Sequence, residues 1–278
     1  MSAHNLVAAG GRKRGWGATL LILSVVAYVV LLLVAPIASI VRGALQDGFP
    51  ALLTALQKPT LWESFGLSVK IAFAVIVIQL LLGSATAWVI VRHNFRGKGL
   101  FNAVIDIPFA ISPVVVGYML LLAFGRSGFL YPAVKALDIQ VAFAVPGIFL
   151  ATLFVSLPFM IRELIPVIEN LDRVQELAAT TMGAGRWTTF WRIIFPPLRT
   201  ALVYGVALTM ARAMGEFGAV LVIGGGVQGR TATTTMYIFH ALEERQYVEA
   251  YAAAIILAFV SVLIVSFADW IRHRSTAQ

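Results

Sequence analysis

The sequence predicts an all-α membrane protein with six transmembrane helices. Three observations carry that prediction. Of 278 residues, 60% are hydrophobic and only 12% are charged, with a mean hydropathy of +0.89, a balance that excludes a soluble domain. Several apolar runs exceed the ~20 residues that a helix needs to cross the hydrocarbon core of a bilayer. The basic residues also fall unevenly on the two sides of those runs, the asymmetry expected when cytoplasmic loops retain positive charge. There is no cysteine, so disulfides and thiolate metal sites are excluded.

A polar arm, residues 1–15, carries Arg12, Lys13 and Arg14. The first apolar run, 16–41, is longer than the ~7–15-residue core of a signal peptide. No small-x-small cleavage site follows it, so it is expected to remain as span one. An amphipathic stretch with Phe49, Leu52, Leu53 and Leu56 precedes span two, 65–91. Span three, 100–124, contains Pro108 and Pro113, and span four, 141–165, contains Pro146 and Pro158. Spans five and six cover 200–223 and 250–271 and leave a short tail, 272–278.

Six spans put both termini on one side. Of the 21 basic residues, thirteen fall on that side, six on the other, and Lys70 and Arg212 lie inside spans. The excess predicts cytoplasmic termini and a cytoplasmic loop between spans four and five. It also accounts for the net charge of +8 through loop placement, without nucleic acid.

That loop, about 166–199, holds the most informative segment, 175–198. Glu176, Ala178 and Ala179 favour helix, and Gly183 and Gly185 permit a turn. Trp187, Phe190, Trp191 and Ile194 then recur at helical spacing and form an apolar face. Pro196 and Pro197 are expected to close the segment, because neither can donate a helical hydrogen bond. On pattern alone this is either an ordinary interfacial loop or a docking element.

The order Ala178-Ala179, Gly183, Ile193, Pro196 resembles the Glu-Ala-Ala loop of ATP-binding-cassette importer permeases. In that pattern Glu-Ala-Ala, three residues, Gly, nine residues and Ile-x-Leu-Pro follow without a gap. Two positions differ here. Leu177 stands at the usual glutamate, with Glu176 one residue earlier, and Phe195 replaces leucine. The run Asp106 to Gly117 (Asp-Ile-Pro-Phe-Ala-Ile-Ser-Pro-Val-Val-Val-Gly) and the run Pro158 to Pro166 are similar to motifs of sulfate and thiosulfate permeases. The run Ala211 to Val220 resembles one shared by sulfate and molybdate permeases.

The resemblance implies a type I importer permease bundle in a bacterial inner membrane, importing sulfate or thiosulfate, with molybdate or tungstate as the alternative. It implies a second permease chain, a cytoplasmic ATPase dimer that binds ATP and magnesium, and a periplasmic sulfate-binding protein. This chain would hold no cofactor and would not be an enzyme. The loop would meet the ATPase through Glu176, Leu177, Ala178, Ala179, Gly183, Ile193 and Pro196, with Glu176 a candidate to replace the missing glutamate.

Within the spans, Ala207, Ala211, Gly215 and Ala219 form a small-residue ladder suited to close helix packing. Arg212 and Glu216, also four apart, must face protein or water, as a structural ion pair or beside the substrate path. Asp106, Pro108, Ser112 and Pro113 are expected to bend span three, either as a plain kink or as a gate lining. The run Gly224 to Thr231 imitates a phosphate-binding loop, but Arg230 replaces its lysine and a span precedes it, so that reading is rejected. His4, His93, His240 and His273 are too scattered for a metal site. A secondary transporter remains the alternative of a different class. It would need coupling-ion groups at mid-membrane and usually an internal repeat, and only Arg212 and Glu216 offer any such group.

Overall fold

A computed structural model describes residues 16–276. The expected N-terminal arm and residues 277–278 lie outside the described residues. Fourteen α-helices are formed: α1 (Trp16–Ala44), α2 (Phe49–Leu56), α3 (Pro59–Ile78), α4 (Ser84–Arg92), α5 (Lys98–Ala110), α6 (Pro113–Phe124), α7 (Tyr131–Ala136), α8 (Val145–Glu169), α9 (Arg173–Thr181), α10 (Arg186–Thr189), α11 (Phe195–Met214), α12 (Gly218–Gly224), α13 (Thr234–Glu243) and α14 (Tyr247–Thr276), counted among the described residues. Two π turns, Gln79–Gly83 and Phe190–Ile194, join α3 to α4 and α10 to α11. Each adds a residue to the helical repeat without breaking the helix.

Among the described residues, five helical stretches are long and apolar enough to cross a membrane: Trp16–Ala44, Pro59–Arg92, Val145–Glu169, Arg186–Met214 and Tyr247–Arg274. The pair α5 and α6 makes the sixth if it is one span, and it is bent by 110°. The expected bend of span three is present, sharp enough to divide it into two helices. Pro108 is accommodated inside α5, so it is not the breaking point. Ile111 and Ser112 turn extended, with ψ of 134° and 136°. They are the residues ahead of Pro113, whose ring disfavours helical backbone before it. Pro113 then starts α6, where its missing N–H costs nothing.

Span five also differs from the expectation. Its helix begins at Arg186 and ends at Met214, and α12 forms a separate short helix. The small-residue ladder is consequently split. Ala207 is buried on α11 while Ala219 is buried on α12 against α6. A Cβ at Gly117 would fall 2.8 Å from the Ala219 carbonyl oxygen, so α6 and α12 approach at backbone distance.

Helix α8 is the hub. Its Met160, Ile161, Leu164, Ile165 and Ile168 join Ala87 and Ile90 of α4, Ile105 of α5, and Leu198 and Ala201 of α11 in one buried cluster at the loop end. Toward the other end, Ile148 meets Ile71, Val75, Val220 and Met236. The hydroxyls of Thr152 and Ser156 donate to carbonyls one turn earlier, at 2.9 and 2.6 Å, so this span buries them satisfied. The stretch 224–247 between the last two spans contains α13, whose Met236 and Tyr237 are buried.

Candidate functional site

The loop between α8 and α11 is a helix–turn–helix at one end of the bundle. Asp172 caps α9, its carboxylate accepting from the Val174 N–H at 2.8 Å. At the other end Gly183 has φ +86°. The Gly183 N–H donates to the Thr180 carbonyl at 3.0 Å and the Ala184 N–H to the Ala179 carbonyl at 2.9 Å. This paired pattern closes a helix with a left-handed residue, which explains a glycine there. Ala179 is the one buried side chain of α9.

The remaining loop residues divide by direction. Leu177 is 64% exposed, and Val174, Met182 and Trp187 are also exposed. Ala178, Gly183 and Pro196 are exposed as well, while Ile193 is half-buried. Such an apolar surface on a protruding element calls for a partner. Glu176 points the other way and forms an ion pair with Arg92 at the end of α4. Arg92 in turn lies 5.0 Å over the Trp88 ring. Glu176 is therefore turned toward α4, whereas Leu177 and its neighbours face outward.

Past the turn, Trp187, Phe190, Trp191 and Phe195 form an aromatic cluster in which Trp191 meets Trp187 and Phe190 edge to face and Phe195 at a tilt, 4.7 Å between centroids. Pro196 and Pro197 do not close the segment. They sit in the first turn of α11, where a missing N–H is tolerated, and the helix runs on from the π turn.

The candidate path residues are partly brought together. Pro108, Ser112, Pro113 and Arg212 line one recess of about 410 Å3 at the break between α5 and α6, with Phe159 and Val155 of α8 behind. Arg212 reaches Glu216 at 2.7 Å, and Glu216 is 2% exposed. The contact is ionic rather than an aligned hydrogen bond. The other Glu216 oxygen accepts from the Ala219 N–H at 3.0 Å, and its carbonyl accepts from the Thr235 hydroxyl at 2.7 Å. Glu216 lies just beyond α11, so one carboxylate holds the α11–α12 break and orients the arginine that faces the recess.

Asp106 does not line this recess. It accepts two hydrogen bonds from Arg162 of α8, from Nε at 2.8 Å and from Nη2 at 2.6 Å. Arg162 also donates to the Asn102 carbonyl at 3.3 Å. Sequence reasoning did not single out Arg162 or Arg92. The available signal was charge pairing: each is a cation near a span end whose carboxylate partner lies on another helix. In the rejected phosphate-loop imitation, the Val227 N–H donates to the Thr231 hydroxyl at 2.9 Å. No group of His, Asp or Glu suited to a metal occurs among the described residues.

Comparison with known proteins places this geometry. Residues 79–276 match the family described as binding-protein-dependent transport system inner membrane component. The chain is 39% identical to a sulfate transport system permease protein CysW of Synechocystis, over 92% of this chain and 93% of that protein. It is 36% identical to the Escherichia coli protein of the same description, over 95% and 90%. In fold it is similar to a chain of a bacterial transporter involved in import of the acidic polysaccharide alginate, with TM-score 0.75, 18% identity, and coverage of 94% and 96%.

Proposed function

Because the chain belongs to the family of binding-protein-dependent transport system inner membrane components, we propose that it is the permease subunit of an ATP-driven importer of sulfate or thiosulfate. It supplies half of the path. The observation that carries this reading is the capped helix–turn–helix whose Val174, Leu177, Met182 and Trp187 stand exposed at one end of the bundle. A surface of that kind fits the groove of a cytoplasmic ATPase, which binds the ATP and magnesium. The choice of anion is supported by the relatives described as sulfate permeases. A second permease chain and a soluble sulfate-binding protein complete the transporter.

The excess of basic residues at the loop end supports cytoplasmic termini in a bacterial inner membrane. Coupling then follows a contiguous path. The Arg92–Glu176 pair ties α9 to α4, and the short link Asn170–Asp172 ties it to α8. Arg162 of α8 grips Asp106 on α5, and α5 leads into the broken segment beside Arg212. ATP-driven movement of the loop is carried along these links to the break, where the recess opens or closes. The energy comes from the difference in ATPase contact between the two states.

Radiolabelled sulfate uptake in cells lacking and then regaining this chain tests the reading. Uptake should return with the chain and be competed by thiosulfate. Competition by molybdate alone would assign the chain to molybdate instead.

A further inference from the structure

A second recess, of about 350 Å3, lies where the end of α8, the start of α11 and the end of α14 meet. Its walls carry Arg199, Arg272 and Glu163, with Val167, Pro196 and Pro197 between them. Arg272 lies 4.8 Å over the Tyr204 ring and 3.8 Å from the Glu163 carboxylate. The lining thus carries two guanidiniums and one carboxylate. Nearby on α14 the exposed Trp270 carries the Arg274 guanidinium 3.8 Å over its ring. Aromatic rings bearing arginines at a span end mark the membrane–water boundary.

We propose that this recess binds the headgroup phosphate of an anionic phospholipid. The phosphodiester matches the planar fork of an arginine, and the proline and valine walls suit the glycerol that follows it. Two guanidiniums in one recess favour anionic over zwitterionic lipid, as expected of basic pockets between spans at a cytoplasmic face. Position gives the site a consequence. Pro196 and Pro197 begin α11 directly after the π turn, so the occupant bears on the junction between the loop and the span it moves.

The test is native mass spectrometry of the intact transporter, offered phosphatidylglycerol, phosphatidylcholine or inorganic phosphate. Retention is read without sulfate, so it does not depend on the assignment of the anion. Phosphatidylglycerol should be retained over phosphatidylcholine, and about tenfold less by the double variant Arg199→Gln, Arg272→Gln. Lys135→Gln, at the opposite end, should retain it normally. Glu163→Gln should retain more, because the opposing charge is gone, and it decides the matter if the double variant fails to assemble. Equal retention of the two lipids, unchanged retention in Glu163→Gln, or displacement by inorganic phosphate would overturn the proposal.

Discussion

Glu176 of α9 is ion-paired with Arg92 of α4, and the adjacent Leu177 is exposed. Neighbours on one short helix therefore act in opposite directions. Glu176→Ala strips a mostly buried arginine of its carboxylate and should cost on the order of 1–3 kcal/mol, loosening the loop. Leu177→Ala should leave stability within about 0.5 kcal/mol while lowering ATPase recovery. Thermal unfolding and ATPase co-purification of the two variants separate the effects. Equal unfolding temperatures would refute the division.

Gly183→Asp probes the turn. At φ +86° a side chain costs about 1 kcal/mol or more. Nothing stands within 4 Å of a Cβ there, so the bundle itself meets no clash. The spans should insert normally, while ATPase co-purification and uptake are lost because α9 and α10 are re-aimed. Full transport by this variant would show that the loop is not the coupling element.

Arg212 and Glu216 separate structure from transport. Arg212→Met leaves a carboxylate that is 2% exposed without its ion partner, a loss of about 3–5 kcal/mol. The double variant Arg212→Met, Glu216→Gln removes the charge yet keeps an acceptor for the Ala219 N–H, so it should recover much of the stability. If Arg212 also meets the anion, the recovered protein remains inactive in uptake. A stable double variant with normal uptake would remove Arg212 from the path.

Orientation is accessible to thiol labelling, since the chain has no cysteine. Gln228→Cys and Thr188→Cys place single thiols at exposed positions on opposite ends. An impermeant reagent should label the first in intact cells and spare the second. The reverse pattern would invert the topology.

The spans, the loop and its glycine turn were legible because each leaves a local mark: a long apolar run, a helical period, a glycine after a helix. The 110° break was anticipated only as a bend. Proline content pointed equally to Pro108 and Pro113, and only the extended Ile111–Ser112 backbone decides between them. The division of span five was hidden because α11 and α12 together form one apolar run, interrupted by a charge pair that hydropathy treats as noise. Asp106–Arg162 and Arg92–Glu176 join residues far apart in sequence, and no period within one helix reports a partner on another. Glu176 was legible only as a candidate for the missing glutamate, because spacing describes neighbours along the chain and not the direction set by a distant arginine.

The most direct test is sulfate accumulation in proteoliposomes holding the intact transporter with its binding protein, with and without ATP inside. The account predicts uptake that requires ATP at the loop face and persists when ion gradients are collapsed. Uptake without ATP, driven by a proton or sodium gradient, would contradict it and assign the chain to secondary transport.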